Sequence, residues 1–352
     1  MKMQTTRKLN RKSFDATNMV EQSRVSTLYK LFFLVLLFAV VLPATSNAED
    51  CQPEKWCSMV SGTTDTLNDI WGCDSNNVFV VGEHGSILHY NGTSWSSMSS
   101  NTTISLTGIW GNNCNNIFAV GGGSFLTPGI TLHYDGNEWS PMPLTINGSL
   151  SKIWGVNSGN DIFIVGAEST SGLVLRYDGN EWSKMETGYG IIALDGVWGD
   201  SSSNVFAVGL GGIYRYNGNT WTVISTPSTD FMFAVWGSSG NNVFAGGYCG
   251  TIQHYNGTSW TETSLGLCSG VYGLWGGGAD DVWAVGHGGR IFHYNGDIWF
   301  EDTSGTTNFL SSVWGNSSNG IFAVGAMVQF CIGFSLQIKA HFLGQCFYRQ
   351  LL

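Results

Sequence analysis

The side chains able to do chemistry are spread along this chain at a regular interval. His89, His133, His254 and His293 each stand directly before a tyrosine, and Arg176 and Arg215 hold the same place before Tyr177 and Tyr216. Zinc ligands must converge to roughly 2.0–2.2 Å from one ion. Histidines that recur once per repeat are held apart by the repeat, so a structural role is expected for them. His84 and His287 fall outside the series, in loops, where a ligand can reach them. The acids are scattered, without the paired carboxylates a glycosidase needs. The stretch Gly121–Ser124, "GGGS", joins two apolar runs rather than a strand and a helix. It therefore lacks the setting of a phosphate loop. No catalytic residue, cofactor or metal is assigned.

What spaces these residues is a tryptophan repeat. A Trp-Gly pair recurs at Trp71, Trp110, Trp154, Trp198, Trp236, Trp275 and Trp314, in steps of 39, 44, 44, 38, 39 and 39 residues. A second series runs Trp56, Trp95, Trp139, Trp182, Trp221, Trp260 and Trp299, each 15 or once 16 residues before the next Trp-Gly. Between them lie apolar runs such as Val78–Val81 and Ile87–Tyr90, and an Asn-Gly or Asp-Gly pair before each second-series Trp from Trp95 on. Such pairs between apolar runs signal a hairpin with φ > 0 at both turn residues. Four strands per unit at a period near 40 predict a β-propeller. The expected fold is all-β: a seven-bladed β-propeller of four-stranded antiparallel blades. "WCSM" (Trp56–Met59) matches the fourth strand of other units, so the N-terminal strand is expected to close the last blade and remove an open edge.

The repeat consensus, roughly "WG-x-NNVFAVG-x-G-x-I-x-HYNG-x-x-W", resembles the Trp-Gly/Tyr-Asp-Gly propeller repeats of exported bacterial proteins over residues 52–325. These are similar to sialidase-like, bacterial-neuraminidase-repeat and photosystem assembly-factor-like propellers. The resemblance implies architecture more than activity. The Asp-box serine and spacer of sialidases are missing, as in Tyr134-Asp135-Gly136-Asn137-Glu138-Trp139.

Three segments follow: a signal peptide at 1–48, the propeller at 49–335 and an irregular tail at 336–352. Leu31–Leu42 is a 12-residue apolar run behind Lys30, followed by small residues up to Ala48. That length suits a cleaved secretory signal and falls short of the roughly 20 residues that span a bilayer. The expected location is secreted, periplasmic or cell-surface, with no stable membrane span after cleavage. Removing seven Lys/Arg and two acids from the totals of 15 and 25 leaves 8 and 23, a net charge near −15. Such a surface repels phosphate backbones, which excludes nucleic acid as the expected partner.

All eight cysteines follow the leader, and in an exported chain they are disulfide candidates. With strands labelled a to d in each blade, b–c and d–a connections share one face and a–b loops lie on the other. Cys249 with Cys268 and Cys73 with Cys114 are then the expected pairs. The unit-to-unit asymmetry lies in two long b–c loops, Gly121 to Tyr134 and Gly166 to Tyr177. Function on repeat folds concentrates in such insertions. Phe125, Leu126, Pro128 and Glu168 are expected to line that rim, with Tyr189 and Phe231 from d–a connections nearby. The expected role is non-enzymatic binding or scaffolding of a protein or glycan through these loops; the alternative is a glycan-acting hydrolase or lyase of sialidase-like type.

Overall fold

The computed structural model describes residues 56–333 apart from 157–159, 170, 189, 229, 267–269, 317–319 and 327–329, with backbone only at 330–333. The expected signal peptide at 1–48 and tail at 336–352 lie outside the described residues.

The first unit shows how each blade is built. Strand a is Leu67–Asp74, b Asn77–Gly82, c Ile87–Tyr90 and d Trp95–Met98, hydrogen-bonded in that order as an antiparallel meander. Strand b is a continuous apolar run, Val78 to Val81, buried throughout, as a strand covered on both faces must be. Strand d carries exposed Ser96 and Ser97, which keeps the outer edge polar. Blades two to six repeat the plan. Their a strands are Leu106–Asn113, Ser149–Gly155, Ala193–Ser201, Met232–Ser239 and Val271–Gly278.

The expected blade count needs a correction. Six blades, not seven, are meanders of one unbroken stretch of chain. The remaining four-stranded sheet is a composite of the two ends: Leu310–Asn316, Gly320–Gly325, Phe330–Gly333 and, outermost, Cys57–Met59. The physical reason is that the repeat lapses after Gly325, so no Trp-bearing fourth strand follows in sequence. The outer strand pairs Cys57 with Ile332 and Met59 with Phe330. Trp56 packs with Trp283, Ile321 and Ala323, and its indole N–H donates to Asp302 at 3.0 Å. The a strands neighbour one another in cyclic order, and that of the composite sheet returns to Leu67–Asp74.

The Trp-Gly pair is what sets neighbouring sheets against each other. Each Gly offers a flat seat to the indole of the preceding unit. A Cβ on Gly237 would lie 2.6 Å from the Trp198 ring, on Gly111 2.8 Å from Trp71, on Gly315 2.7 Å from Trp275, and on Gly72 2.6 Å from Trp314. The last seat joins the composite sheet to blade one. In blades one to five and in the composite sheet the indole also contacts the strand b aromatic of its own sheet, as Trp198 does Phe206 at 6.3 Å between centroids.

The Asn-Gly turns differ from the expected two-residue hairpin. Gly92 has φ +89°, but Asn91 is not among the described residues with positive φ. Instead the Asn91 Oδ1 accepts N–H groups from Thr93 and Ser94, both at 3.0 Å. Asp135, Asp178, Asn217, Asn256 and Asn295 do the same. This side-chain cap makes a longer Asx loop in which only the Gly needs the left-handed region. In most units the Tyr hydroxyl then donates to the Gly carbonyl, as from Tyr134 to Gly136 at 2.9 Å.

Trp198→Ala is expected to cost about 3–5 kcal/mol, and Gly237→Ala about 1–3 kcal/mol through overpacking of the same indole. Gly278, with open space around its Cα, serves as the control: Gly278→Ala should leave the urea unfolding midpoint nearly unchanged.

Candidate functional site

Strand a is the innermost strand, so its side chains near the d–a connections surround the mouth of the central axis. The register position three before each Trp-Gly holds Asn68, Thr107, Ser151, Asp195, Phe233, Tyr272 and Ser311. In most units this residue is passed over where the a–b pairing shifts, for example between Leu67 and Asp69. Such a bulge frees the side chain from the ladder and turns it to another use.

On one arc that use is to fasten neighbouring sheets. Asn68 donates to the Leu106 carbonyl at 2.8 Å, Thr107 to Leu150 at 2.8 Å and Ser311 to Leu67 at 2.6 Å. One residue on, Asp69 is a hub. Its carboxylate accepts the Ile109 N–H at 3.0 Å and the Ser312 hydroxyl at 2.7 Å, and pairs with Lys152 at 2.6 Å. Four sheets meet on that one side chain.

The opposite arc is aromatic. Phe233 stacks on Tyr272 with centroids 4.3 Å apart and planes 15° from parallel. Phe231 adjoins Phe233 at 4.7 Å, Phe309 meets Tyr272 edge-on at 4.8 Å, and His287 contacts both Tyr272 and Phe309. Phe231, Phe233, Tyr272 and Phe309 are only half-buried and His287 is exposed. Tyr248, beside them in a b–c loop, is 55 % exposed. Its N–H donates to the Phe231 carbonyl at 2.8 Å.

Asp195 stands where the two arcs meet. It occupies the position from which Asn68, Thr107 and Ser311 donate, but a carboxylate has no proton to give. Its Oδ2 is sealed from solvent and makes no hydrogen bond among the described residues. Burial pushes its pKa up to about 6, with Lys152 opposing the rise. Burial also raises Tyr272, with Tyr248 and Asp195 adding to it. A part-buried carboxyl with a raised pKa and no hydrogen-bond partner for its Oδ2 among the described residues is the kind of group functional sites keep.

The residues expected from the loops are not brought together. Phe125 and Leu126 form the tip of a hairpin on blade two, closed by paired Ser124 and Thr127 backbones, and are 63 % and 71 % exposed. Pro128 bridges to Asn147 in the same insertion. Glu168, on blade three, is held by Lys184 and by the Ser171 hydroxyl at 3.1 Å. The second insertion is absorbed into longer strands, Ile162–Glu168 and Ser171–Tyr177, and so makes no open loop. Phe231 belongs to the aromatic arc across the ring; Tyr189 lies outside the described residues. Sequence reasoning missed Asp195, Phe233, Tyr272 and Phe309. The signal was present at the position three before Trp-Gly, where two rings and a carboxylate replace small donors.

Cys73, on the a strand of blade one, and Cys114, in the a–b turn of blade two, form a disulfide with Cα atoms 5.4 Å apart. Asp74 lies beside them, but sulfurs bonded to each other are not thiolate ligands. Cys249 is a free thiol among the described residues; its expected partner, Cys268, lies outside them. The repeat histidines stack on strand b rings, His254 on Phe244 at 4.0 Å and His293 on Trp283 at 4.0 Å. Arg176 and Arg215 cover Phe163 and Phe206 in the same way.

No protein-family model and no curated protein matches the chain. Solved structures do. YCF48 bound to D1 peptide is similar with a TM-score of 0.65 at 18% identity, covering 81% of this chain and 96% of that one. YCF48 from Cyanidioschyzon merolae gives 0.61 at 16%, covering 80% and 99%. The WD40 β-propeller domain of Doa1 gives 0.63 at 12%, covering 81% and 98%. These likenesses bear on the propeller fold and not on a sialidase-like activity.

The folded Asp195 carboxyl holds its proton more tightly than an unfolded one, whose ordinary value is 3.8. Its favourable contribution is therefore full below about pH 4 and lost as pH rises through about 6. Asp195→Asn removes that cost and restores a donor like Asn68. At pH 8 the variant should be more stable by up to about 3 kcal/mol, with the gain vanishing below pH 4, as read by urea unfolding across pH.

Proposed function

We propose that this chain is an exported, non-enzymatic scaffold that binds a segment of a partner protein at the mouth of its central axis. The aromatic arc carries the proposal. Half-buried rings stacked on or edge-on to one another, with no apolar cover among the described residues, are costly to leave wet and are what an interface core is made from. The polar half of the same mouth is occupied with holding sheets together, so binding and closure use separate arcs. Chemistry has little to work with there: of Asp69 and Asp195, the inner-strand carboxylates before the Trp-Gly pair, Asp69 is engaged by three donors. Protein binding on this fold has a precedent in YCF48 with its D1 peptide. Export is supported by the apolar leader and by the Cys73–Cys114 disulfide, a bond suited to an oxidising compartment.

A displayed library of random 12-residue peptides tests the site. Peptides enriched on the wild-type chain should be lost on the Phe233→Ala/Tyr272→Ala double variant. They should be kept on Phe125→Ser/Leu126→Ser, with both variants folded by circular dichroism. Enrichment that depends on Phe125 and Leu126 but not on the rings would overturn the assignment.

A further inference from the structure

We propose that the mouth receives a lysine or arginine side chain of the partner segment, its cationic head between the Asp195 carboxylate and the Phe233–Tyr272 ring stack; this rests on the binding role just proposed.

Three observations carry it. First, the Asp195 Oδ2 has no hydrogen-bond partner among the described residues, at a position from which Asn68, Thr107 and Ser311 donate to a neighbouring sheet. The nearby cation, Lys152, is committed to Asp69 at 2.6 Å. A carboxylate half-withdrawn from water and left unpaired is stabilised most by a cation brought from outside.

Second, the neighbouring strands present π faces rather than aliphatic side chains. A cation held against a ring face gains further attraction, more so when it is shielded from water. Asp195, Phe233 and Tyr272 occupy the same register position on three consecutive a strands, so carboxylate and rings converge on one level of the mouth.

Third, the chain's own charges rule against the opposite sign. All five Lys/Arg among the described residues are engaged. Lys152, Arg176, Lys184 and Arg290 are in ion pairs, and Arg215 bonds Asn204 at 2.7 Å over the Phe206 ring. An acidic segment would meet an acidic surface with no free cation to receive it; a basic one is steered toward it. A sugar fits less well. It needs several hydrogen-bonding side chains beside the stacking ring, and Asn68, Thr107 and Ser311 already donate to backbone carbonyls.

The same displayed library separates this from the broader binding role. On the wild-type chain at pH 7.5, enriched peptides should share a Lys or Arg at one fixed place, next to an apolar residue. On Asp195→Asn that place should lose its basic preference, while enrichment still depends on Phe233 and Tyr272. Replacing the shared Lys by norleucine in a fluorescein-labelled enriched peptide should weaken binding tenfold or more in fluorescence anisotropy. Affinity for the Lys peptide should fall as pH drops through about 6. The groups facing Asp195 are Lys152 from blade three and Tyr272 from blade six, with Tyr248 and exposed His287 beyond. The pH step should therefore survive in His287→Gln and vanish in Asp195→Asn. Ring-dependent peptides with no basic position, or an unchanged Lys preference on Asp195→Asn, would overturn the cation and leave the binding role standing. Enrichment independent of the rings would overturn both, as would ring-dependent selection of oligosaccharides in place of peptides on a glycan array.

Discussion

An indole laid on a glycine is the contact from which this structure is built. Each Trp of a Trp-Gly pair rests its ring on the Gly of the next unit, where any side chain would collide with it. The contact demands large and flat on one sheet, nothing at all on its neighbour, and so it must repeat as a pair. Because each pair is both seat and occupant, no sheet is satisfied until the ring comes back on itself. Trp314 on Gly72 completes the circuit, and the two ends of the chain are drawn into one composite sheet as a consequence. Charge contributes little to this cohesion. The exception is Asp69, where one carboxylate gathers donors from three other sheets.

A ring made this way constrains most positions of each unit and leaves a few free. The strand c His or Arg must lie flat on the strand b ring, and it does so in each of the first six blades. The residue before each turn Gly must cap two amides. The bulge position three before Trp-Gly needs only a small donor, and only on part of the circle. Departures are tolerated there because the Trp-Gly seats already hold the sheets. Asp195, Phe233 and Tyr272 are such departures, and all three are unfavourable by the standards of stability alone: a part-buried carboxyl whose Oδ2 has no partner among the described residues, and rings left half-wet. Proteins retain such groups where a ligand completes them.

The loop insertions illustrate the opposite case. Length singled out Gly121–Tyr134 and Gly166–Tyr177, yet one forms a small hairpin closed on itself and the other extends two strands. Extra residues near a sheet edge readily satisfy their own backbone, and then they offer less than their length promises. Glu168, inviting as an isolated acid, is taken up by Lys184 and Ser171 within its own blade.

Periodicity alone determined the four-stranded units, the place of every tryptophan, the structural role of the repeat histidines and the fourth-strand character of Trp56–Met59, because each of these is dictated by contacts every unit must make. The Cys73–Cys114 bond was within reach for the same reason, since the a–b connections of adjacent units lie on one face. Tertiary structure decided the rest. Only the folded ring shows that Phe231, Phe233, Tyr272 and Phe309, drawn from three sheets, form one wall, and that the Asp195 Oδ2, at the same register position, is buried with no hydrogen-bond partner among the described residues. Those residues lie far apart in sequence and share no spacing with one another beyond the repeat itself, so their meeting is a property of closure, which brings side chains together around an axis that no local pattern contains.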